Sequence, residues 1–307
     1  MSAKPRFPPK KIPPAPRSLE REFLFLFGAA LLIGAFYASC LTVETTRDER
    51  ARTGEKRGYL SWNHYPLIVE GWLHGRLDLP IEVPARLLTL PDPYDPDANK
   101  RYRFAGEDKG VHDLLFYHGR LYMYWGPTPA LVAFLPWRLI TGQPLSTAWA
   151  TWAFALTGYL ASAWLLLRIV RRHFSTLSLF WVALSLLALG ICNWAPVVLR
   201  RPNVWEVPIA AAFCFGAIAW WCLAEALWSS QGKTKWLAAA SLAYGLAMAA
   251  RPTWLLGAFI LLVPLLPGLA RMAATDLLAA RGGGLGAGGL RRTGFARPER
   301  TAVRHCF

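Results

Sequence analysis

The sequence is poor in acidic residues and in cysteine. Only 19 aspartates and glutamates stand against 34 lysines and arginines, so the formal net charge is +15. The five cysteines show neither the paired spacing of a disulfide framework nor the spacing of a zinc site, and the sequence contains no internal repeat. We therefore expect neither a disulfide-stapled domain, nor a zinc module, nor a repeat array.

The positive charge is unevenly distributed along the chain. Residues 44–145 hold 13 basic and 13 acidic residues, so the other 21 basic and 6 acidic residues carry the whole excess of +15. Most of these basic residues flank apolar runs, where Lys and Arg set the orientation of membrane proteins. The distribution of positive charge therefore indicates how the chain is oriented in a membrane. We expect no nucleic-acid partner.

Apolar residues are abundant and grouped. They make up 54% of the chain, with 15 tryptophans, and the mean hydropathy is +0.26. Several nearly uncharged runs of about 20 residues match a hydrocarbon core of about 30 Å. We expect an all-α polytopic membrane protein with about six transmembrane helices and a large outer loop that carries interfacial helices after the first span.

The expected domains follow from these runs. Residues 1–22 form a basic cytoplasmic tail, and 23–43 form the first transmembrane helix. A cleaved signal peptide is the alternative for this run, and its length favours an uncleaved helix. Residues 44–145 form the periplasmic loop. Helices two to six occupy 146–270, with expected spans at 146–167, 175–195, 207–228, 236–250 and 253–270. Residues 271–307 are either a flexible basic tail or the product of a reading-frame shift, which would make the chain a truncated protein.

The outer loop is too long for a simple connection and is rich in tyrosine and tryptophan. Pro66 to Leu79 has the spacing of an amphipathic helix, and Pro129 to Ile140 is apolar but too short to span. Both segments are predicted to lie at the membrane interface.

Several short motifs carry a resemblance to a known family. They are Asn63-His64-Tyr65, the segment from Gly71 to Leu79, Tyr117 to Tyr122, Gly126-Pro127-Thr128-Pro129-Ala130, and Gly245 to Thr253. Together they resemble the GT-C glycosyltransferases, in particular bacterial relatives of the protein mannosyltransferase and aminoarabinose transferase branch. The resemblance implies a multi-pass protein of the bacterial inner membrane, with its N-terminus in the cytoplasm. Its partners would be membrane lipids, a polyprenyl-phosphate sugar donor and an unidentified acceptor.

Such a reaction needs a general base for the acceptor and positive charge for the leaving phosphate. The expected base is Asp113, ahead of His64 and Glu70. The expected phosphate ligands are Arg251, Arg200 and Arg201, and the expected sugar-contacting aromatics are Tyr122, Tyr124 and Trp125. We assign no metal ligands, although a divalent cation is an alternative for the phosphate, and Asp92, Asp95 and Asp97 are the residues that would attract it.

The resemblance has two departures. Asn63-His64 stands where the family has an acidic pair, and Gly126 stands where it has a basic residue before the prolines. Asp113 can also be an ordinary helix cap, and Glu70 a solvated charge. The alternative function is therefore a non-catalytic or truncated membrane protein that binds or transports a lipid-linked substrate.

Overall fold

The computed structural model describes residues 19–54, 64–99, 113–229 and 231–265. The basic C-terminal tail 271–307, residues 1–18 of the N-terminal tail and Asn63 lie outside the described residues. The chain forms two compact units, residues 1–261 and 262–307, and the structure describes 262–265 of the second. The described part is mostly helical.

Helix α1 spans Leu19–Gly54 and contains the first candidate membrane span, Phe23–Leu41. It continues through residues 44–54, which we had assigned to the outer loop. The continuation holds two glutamates and three arginines, which are good helix formers, and it contains no glycine or proline before Gly54. The helix therefore extends beyond the apolar segment to the first strong helix breaker.

The other two candidate spans lie where 146–167 and 207–228 were expected, although the first helix extends six residues further, to His173. They are α5, Thr147–His173, and α8, Glu206–Trp228. Helix α8 packs against both α5 and α9, Lys233–Ala250. Small residues allow these close contacts, because a Cβ atom on Gly158 of α5 would lie 2.6 Å from the ring of Phe213 in α8.

Within the described residues, three helices are long and apolar enough to cross a membrane, which supports a membrane protein. The expected span 175–195 corresponds to α6, Leu179–Ile191, and a further short helix, α7, Ala195–Leu199, begins where that span was expected to end. The 13 residues of α6 rise only about 20 Å, since each residue adds about 1.5 Å. The expected span 253–270 corresponds to a 3-10 helix, Pro252–Leu265.

The loop between α1 and α5 forms short elements. Its helices are α2, His64–Leu73, and α3, Ala85–Leu88. A π-helix, Ala130–Phe134, leads into α4, Leu135–Thr141, and together they cover the segment predicted at 129–140. The helix predicted over 66–79 is present only as far as Leu73.

A small β-hairpin lies in the same loop and was not expected in an all-α chain. Strands β1, Leu115–Tyr117, and β2, Arg120–Tyr122, pair antiparallel, with Phe116 opposite Leu121. His118 and Gly119 both have positive φ values, 47° and 72°. Two such residues form the type I′ turn that fits the twist of a hairpin.

The loop is fixed to the beginning of α8 by a buried apolar cluster. Tyr65 of α2 stacks on Phe134 of the π-helix, with ring centroids 5.4 Å apart. Both rings are at most 1% exposed and share one core with Val207 and Ala211 of α8. The described loop elements therefore pack as part of the folded protein.

Candidate functional site

The segment that leaves the hairpin docks against the end of α9. The hydroxyl of Thr128 donates a hydrogen bond of 2.9 Å to the carbonyl oxygen of Leu246. A Cβ atom on Gly126 would lie 1.9 Å from the carbonyl oxygen of Ala249, so only glycine permits this approach. This close contact brings Trp125 next to Arg251.

Arg251 ends α9 in an extended conformation, as is usual for a residue that precedes proline. Its guanidinium carbon lies 5.2 Å from the ring centroid of Trp125, which is a cation–π contact. Among the described residues, no carboxylate forms an ion pair with Arg251. Its N–H donors are thus held near an aromatic face without being neutralised by a direct carboxylate partner.

Asp113 lies beside the same aromatic segment. The indole Nε1 of Trp205 donates a hydrogen bond of 2.6 Å to its Oδ2 atom, and the Tyr124 phenol also hydrogen-bonds its carboxylate. The φ angle of Asp113 is 58°, in the left-handed region that few residues other than glycine adopt. Such strained positions concentrate at functional sites, where surrounding contacts hold them.

Two tyrosines near Arg251 have raised pKa values. Burial is the main cause of the raised pKa of Tyr124, and the negative charge of Asp113 adds to it, whereas Arg251 opposes the increase. Burial also raises the pKa of Tyr65, again opposed by Arg251. Both phenols therefore stay protonated at neutral pH, and the Tyr65 hydroxyl donates to the carbonyl oxygen of Gly126 at 3.3 Å.

A second carboxylate joins this group at the beginning of α8. Glu206 is half-buried, and its Oε2 accepts a hydrogen bond of 3.1 Å from the backbone N–H of Asn203. The charges of Arg201 and Arg251 both act on this carboxylate. Arg201 itself lies 5.8 Å from the ring centroid of Trp205.

These contacts define a polar cluster of seven residues, which are Asp113, Tyr124, Trp125, Arg201, Trp205, Glu206 and Arg251. It holds two carboxylates and two guanidinium groups, and aromatic rings lie beside both guanidinium groups. Such an arrangement can bind an anionic group through arginine N–H donors while a carboxylate stays close by.

The structure thus brings together five of the residues that we expected from the sequence. Asp113, Tyr124, Trp125, Arg201 and Arg251 are all members of the polar cluster.

The remaining candidates have other neighbours. His64 is the first residue of α2 and is 1% exposed. Glu70 accepts a hydrogen bond of 2.5 Å from Nε of Arg138 in α4. Tyr122 packs edge-on against Tyr117, with centroids 6.3 Å apart. The charge of Arg200 acts on Cys40 of α1.

The acidic turn that we considered for a cation uses its oxygens locally. Asp92 accepts the backbone N–H of Tyr94, and Asp95 accepts that of Asp97, both at 2.9 Å. In the part of the chain that the structure describes, no group of three or more His, Cys, Asp or Glu side chains is arranged to hold a metal ion.

Sequence reasoning missed three contributors to this region, namely Tyr65, Trp205 and Glu206. Trp205 and Glu206 immediately precede the apolar run that begins at Val207, so they were grouped with the short connection before the helix. A carboxylate next to an arginine pair at the end of a predicted span was the available signal. Tyr65 could not be singled out from the many aromatic residues of the loop.

No protein-family model matches the chain, and no match was found among curated proteins or solved structures.

Proposed function

We propose that the chain is a GT-C-like glycosyltransferase of the bacterial inner membrane. It would move a sugar from a polyprenyl-phosphate carrier to an acceptor at the periplasmic face, with its N-terminus in the cytoplasm. The observation that carries this proposal is the meeting of Asp113 with Arg251 through Tyr124 and Trp125. A base and a phosphate ligand are the two groups that the reaction requires.

In the proposed reaction, the Asp113 carboxylate accepts the proton of the acceptor hydroxyl. The acceptor oxygen forms a bond to the anomeric carbon of the sugar, and the bond from that carbon to the phosphate oxygen breaks. The bonding electrons leave with the polyprenyl phosphate, whose negative charge Arg251 stabilises through its N–H donors. The proton and the leaving group are thus both accounted for.

The neighbouring side chains would orient these two groups. The Trp205 indole fixes one oxygen of Asp113 at 2.6 Å, and the protonated Tyr124 adds a second donor to that carboxylate. Trp125 restrains the Arg251 guanidinium, and its ring offers an apolar face for a sugar. Arg201, whose charge also acts on Glu206, would supply additional positive charge.

The test measures release of polyprenyl phosphate from labelled polyprenyl-phosphate sugars by purified protein, with bacterial membrane extract as the source of acceptor. Asp113→Asn should lower the rate about 100-fold or more, as expected for loss of a general base. Arg251→Ala should lower it about 100- to 1,000-fold, as for loss of an electrostatic donor. Trp205→Phe should have a smaller effect, since it removes one hydrogen bond to Asp113.

Matched controls are Asp95→Asn and Lys235→Ala, which remove single charges at exposed positions. Both should retain the rate of the wild type. Undiminished release by Asp113→Asn and Arg251→Ala together would remove the assignment.

A second candidate function is a protein that binds or transports a lipid-linked substrate without chemistry. The contacts of Asp113 with Trp205 and Tyr124 favour it, because the same contacts can simply anchor the loop. Under this alternative, the wild type binds the donor lipid but releases no polyprenyl phosphate, and Arg251→Ala weakens binding alone.

A further inference from the structure

We infer that one hydrocarbon chain of a phosphate-bearing lipid occupies the cavity between α5, α7 and α8. The cavity has a volume of about 350 Å³ and is lined by residues of all three helices and by Trp254. An apolar cavity of about 150 Å³ already admits a guest of the size of benzene. The space is therefore large enough for a chain segment.

The wall of the cavity is apolar even though it contains an asparagine. The Asn193 amide nitrogen donates to the carbonyl oxygen of Leu189 at 2.6 Å, and its oxygen accepts the backbone N–H of Ala195 at 2.7 Å. These bonds satisfy the amide within the protein, and the other lining residues are apolar, among them Ala155, Ile209 and Phe213. Hydrocarbon is thus a better occupant than water or sugar.

Three wall residues of the cavity lie within about one helical turn of charged members of the polar cluster. Trp254 donates its backbone N–H to the carbonyl oxygen of Arg251 at 3.1 Å, and Arg201 donates to that of Val198 at 3.4 Å. Ile209 follows Glu206 by three residues in α8, which is about one helical turn. Each of these wall residues is separated by three residues from a charged member of the cluster.

This juxtaposition selects the kind of ligand. An occupant with its chain in the cavity would have its polar end near Arg201 and Arg251, whose charges favour a phosphate over a neutral group. Trp194 is 76% exposed where it lines the cavity, so the wall is continuous with the outer surface of the helices. A phosphate lipid can therefore enter with its chain first.

A second apolar groove provides an internal comparison. It has a volume of about 300 Å³ and is lined by apolar residues of α1 and α6, including Leu24, Leu32 and Ala183. A chain that merely coats apolar surface would contact both sites equally. Selective occupation of the cavity beside the polar cluster would not follow from apolar coating alone.

The experiment uses photoreactive lipids with the full-length protein in detergent, followed by mass-spectrometric mapping of the adducts. The probes are phosphatidic acid and polyprenyl phosphate, each with a diazirine in the chain, and the matched uncharged diacylglycerol. Adducts of at least one phosphate lipid should concentrate on residues 193–198 and 209–213, with fewer on 24–32 and 183–187. The lipid that gives the stronger labelling identifies the chain as acyl or isoprenoid.

Variants that fill the cavity sharpen the measurement. Ala195→Phe should reduce cavity labelling about fivefold or more, because the lipid chain and the new ring compete for one space. Ala183→Phe adds the same ring to the other groove and should leave cavity labelling unchanged. Arg251→Ala should lower labelling by phosphate lipids towards that by diacylglycerol.

The inference fails if labelling is equal at both apolar sites in the wild type, or if diacylglycerol labels the cavity as strongly as the phosphate lipids. It also fails if a folded Ala195→Phe protein is labelled like the wild type. Ala210→Phe, on the α8 wall, replaces it if gel filtration shows that Ala195→Phe does not fold. Because labelling requires no sugar transfer, loss of the glycosyltransferase proposal would leave a positive labelling result intact.

Discussion

The two ends of α8 both carry a glutamate that interacts with arginine, but they differ in how those charges are satisfied. Near the C-terminal end, Nε and Nη2 of Arg168 bind the two carboxylate oxygens of Glu225 at 2.7 and 2.9 Å. At the N-terminal end, Glu206 lies in the field of Arg201 and Arg251. The rings of Trp205 and Trp125 lie beside these two guanidinium groups. Within the described residues, neither guanidinium group forms an ion pair.

The difference distinguishes an ion pair that joins two helices from a polar cluster whose arginines can bind a ligand. Arg168 lies on α5, so its bidentate pair with Glu225 fixes α5 to α8 and uses both carboxylate oxygens. A guanidinium held by an aromatic face keeps N–H donors available for a ligand. The same residue types therefore serve stability at one end of the helix and recognition at the other.

The largest expected effect comes from breaking the contact that assembles the polar cluster. Gly126→Ala places a Cβ atom 1.9 Å from the Ala249 carbonyl oxygen, and backbone cannot move aside as a side chain can. We expect a loss of about 3 kcal/mol or more in the free energy of unfolding, at the upper end of overpacking costs. Labelling by phosphate lipids should fall with it.

Gly245→Ala is the matched control, because no atom lies within 4 Å of its added Cβ. Chemical unfolding in detergent gives the comparison between the two variants. Equal stability of the two alanine variants would contradict the tight docking of Gly126 on α9.

The ion pair between Arg168 and Glu225 can be removed separately by the substitution Arg168→Met. This change leaves the Glu225 carboxylate, whose side chain is 7% exposed, without its partner. Fully buried pairs lose about 3–5 kcal/mol in this way, but Arg168 is 37% exposed, so we expect about 2 kcal/mol.

The double variant Arg168→Met with Glu225→Leu should recover most of that stability, because no uncompensated charge remains. Unfolding of both proteins in detergent is the measurement. Polyprenyl phosphate release by the folded single variant should match the wild type. A strong loss of release without loss of stability would show that this pair is not merely structural.

The smallest expected effect is a pH dependence of stability, and it concerns the ion pair between Arg76 and Asp78 in the loop. Hydrogen bonding from Arg76 is the main cause that lowers the pKa of Asp78, and burial opposes it. A lowered pKa in the folded state stabilises the protein above the ordinary aspartate pKa of about 3.9, and this stabilisation is lost as the pH falls through the folded value.

The melting temperature of the wild type should therefore exceed that of Asp78→Asn most clearly above pH 5, and the gap should narrow towards pH 3. The gap between the wild type and Asp95→Asn, a change at an exposed turn, should vary less with pH. A gap for Asp78→Asn that is constant with pH would show that Arg76 does not act through the charge of Asp78.

The boundaries of the long helices could be predicted better than those of the short elements. Helices α5 and α8 could be located because an apolar run of about 20 residues is long enough to cross a membrane, whatever it packs against. The C-terminal end of α5 lies beyond its predicted limit. The short helix α7 was not predicted, although Pro196 in its first turn is typical of a helix start. The hairpin was missed because its strands have only three residues each.

The candidate site shows the same limit. Asp113 and Arg251 could be proposed from residue type and position, but nothing in the sequence states that they approach one another. Their meeting depends on the fit of Gly126 against Ala249, a contact between distant parts of the chain. Trp205 could not be predicted as the hydrogen-bond partner of Asp113, because the two residues are also far apart in the sequence.

The sequence by itself determined that this chain has helices suited to a membrane, because the free energy of transferring apolar residues accumulates along a continuous run. Only the tertiary structure decided which charged side chains form ion pairs and which can bind a ligand beside an apolar cavity. Hydrogen bonds and ion pairs act over a few ångströms, so they depend on which parts of the chain pack together, and no local pattern records that.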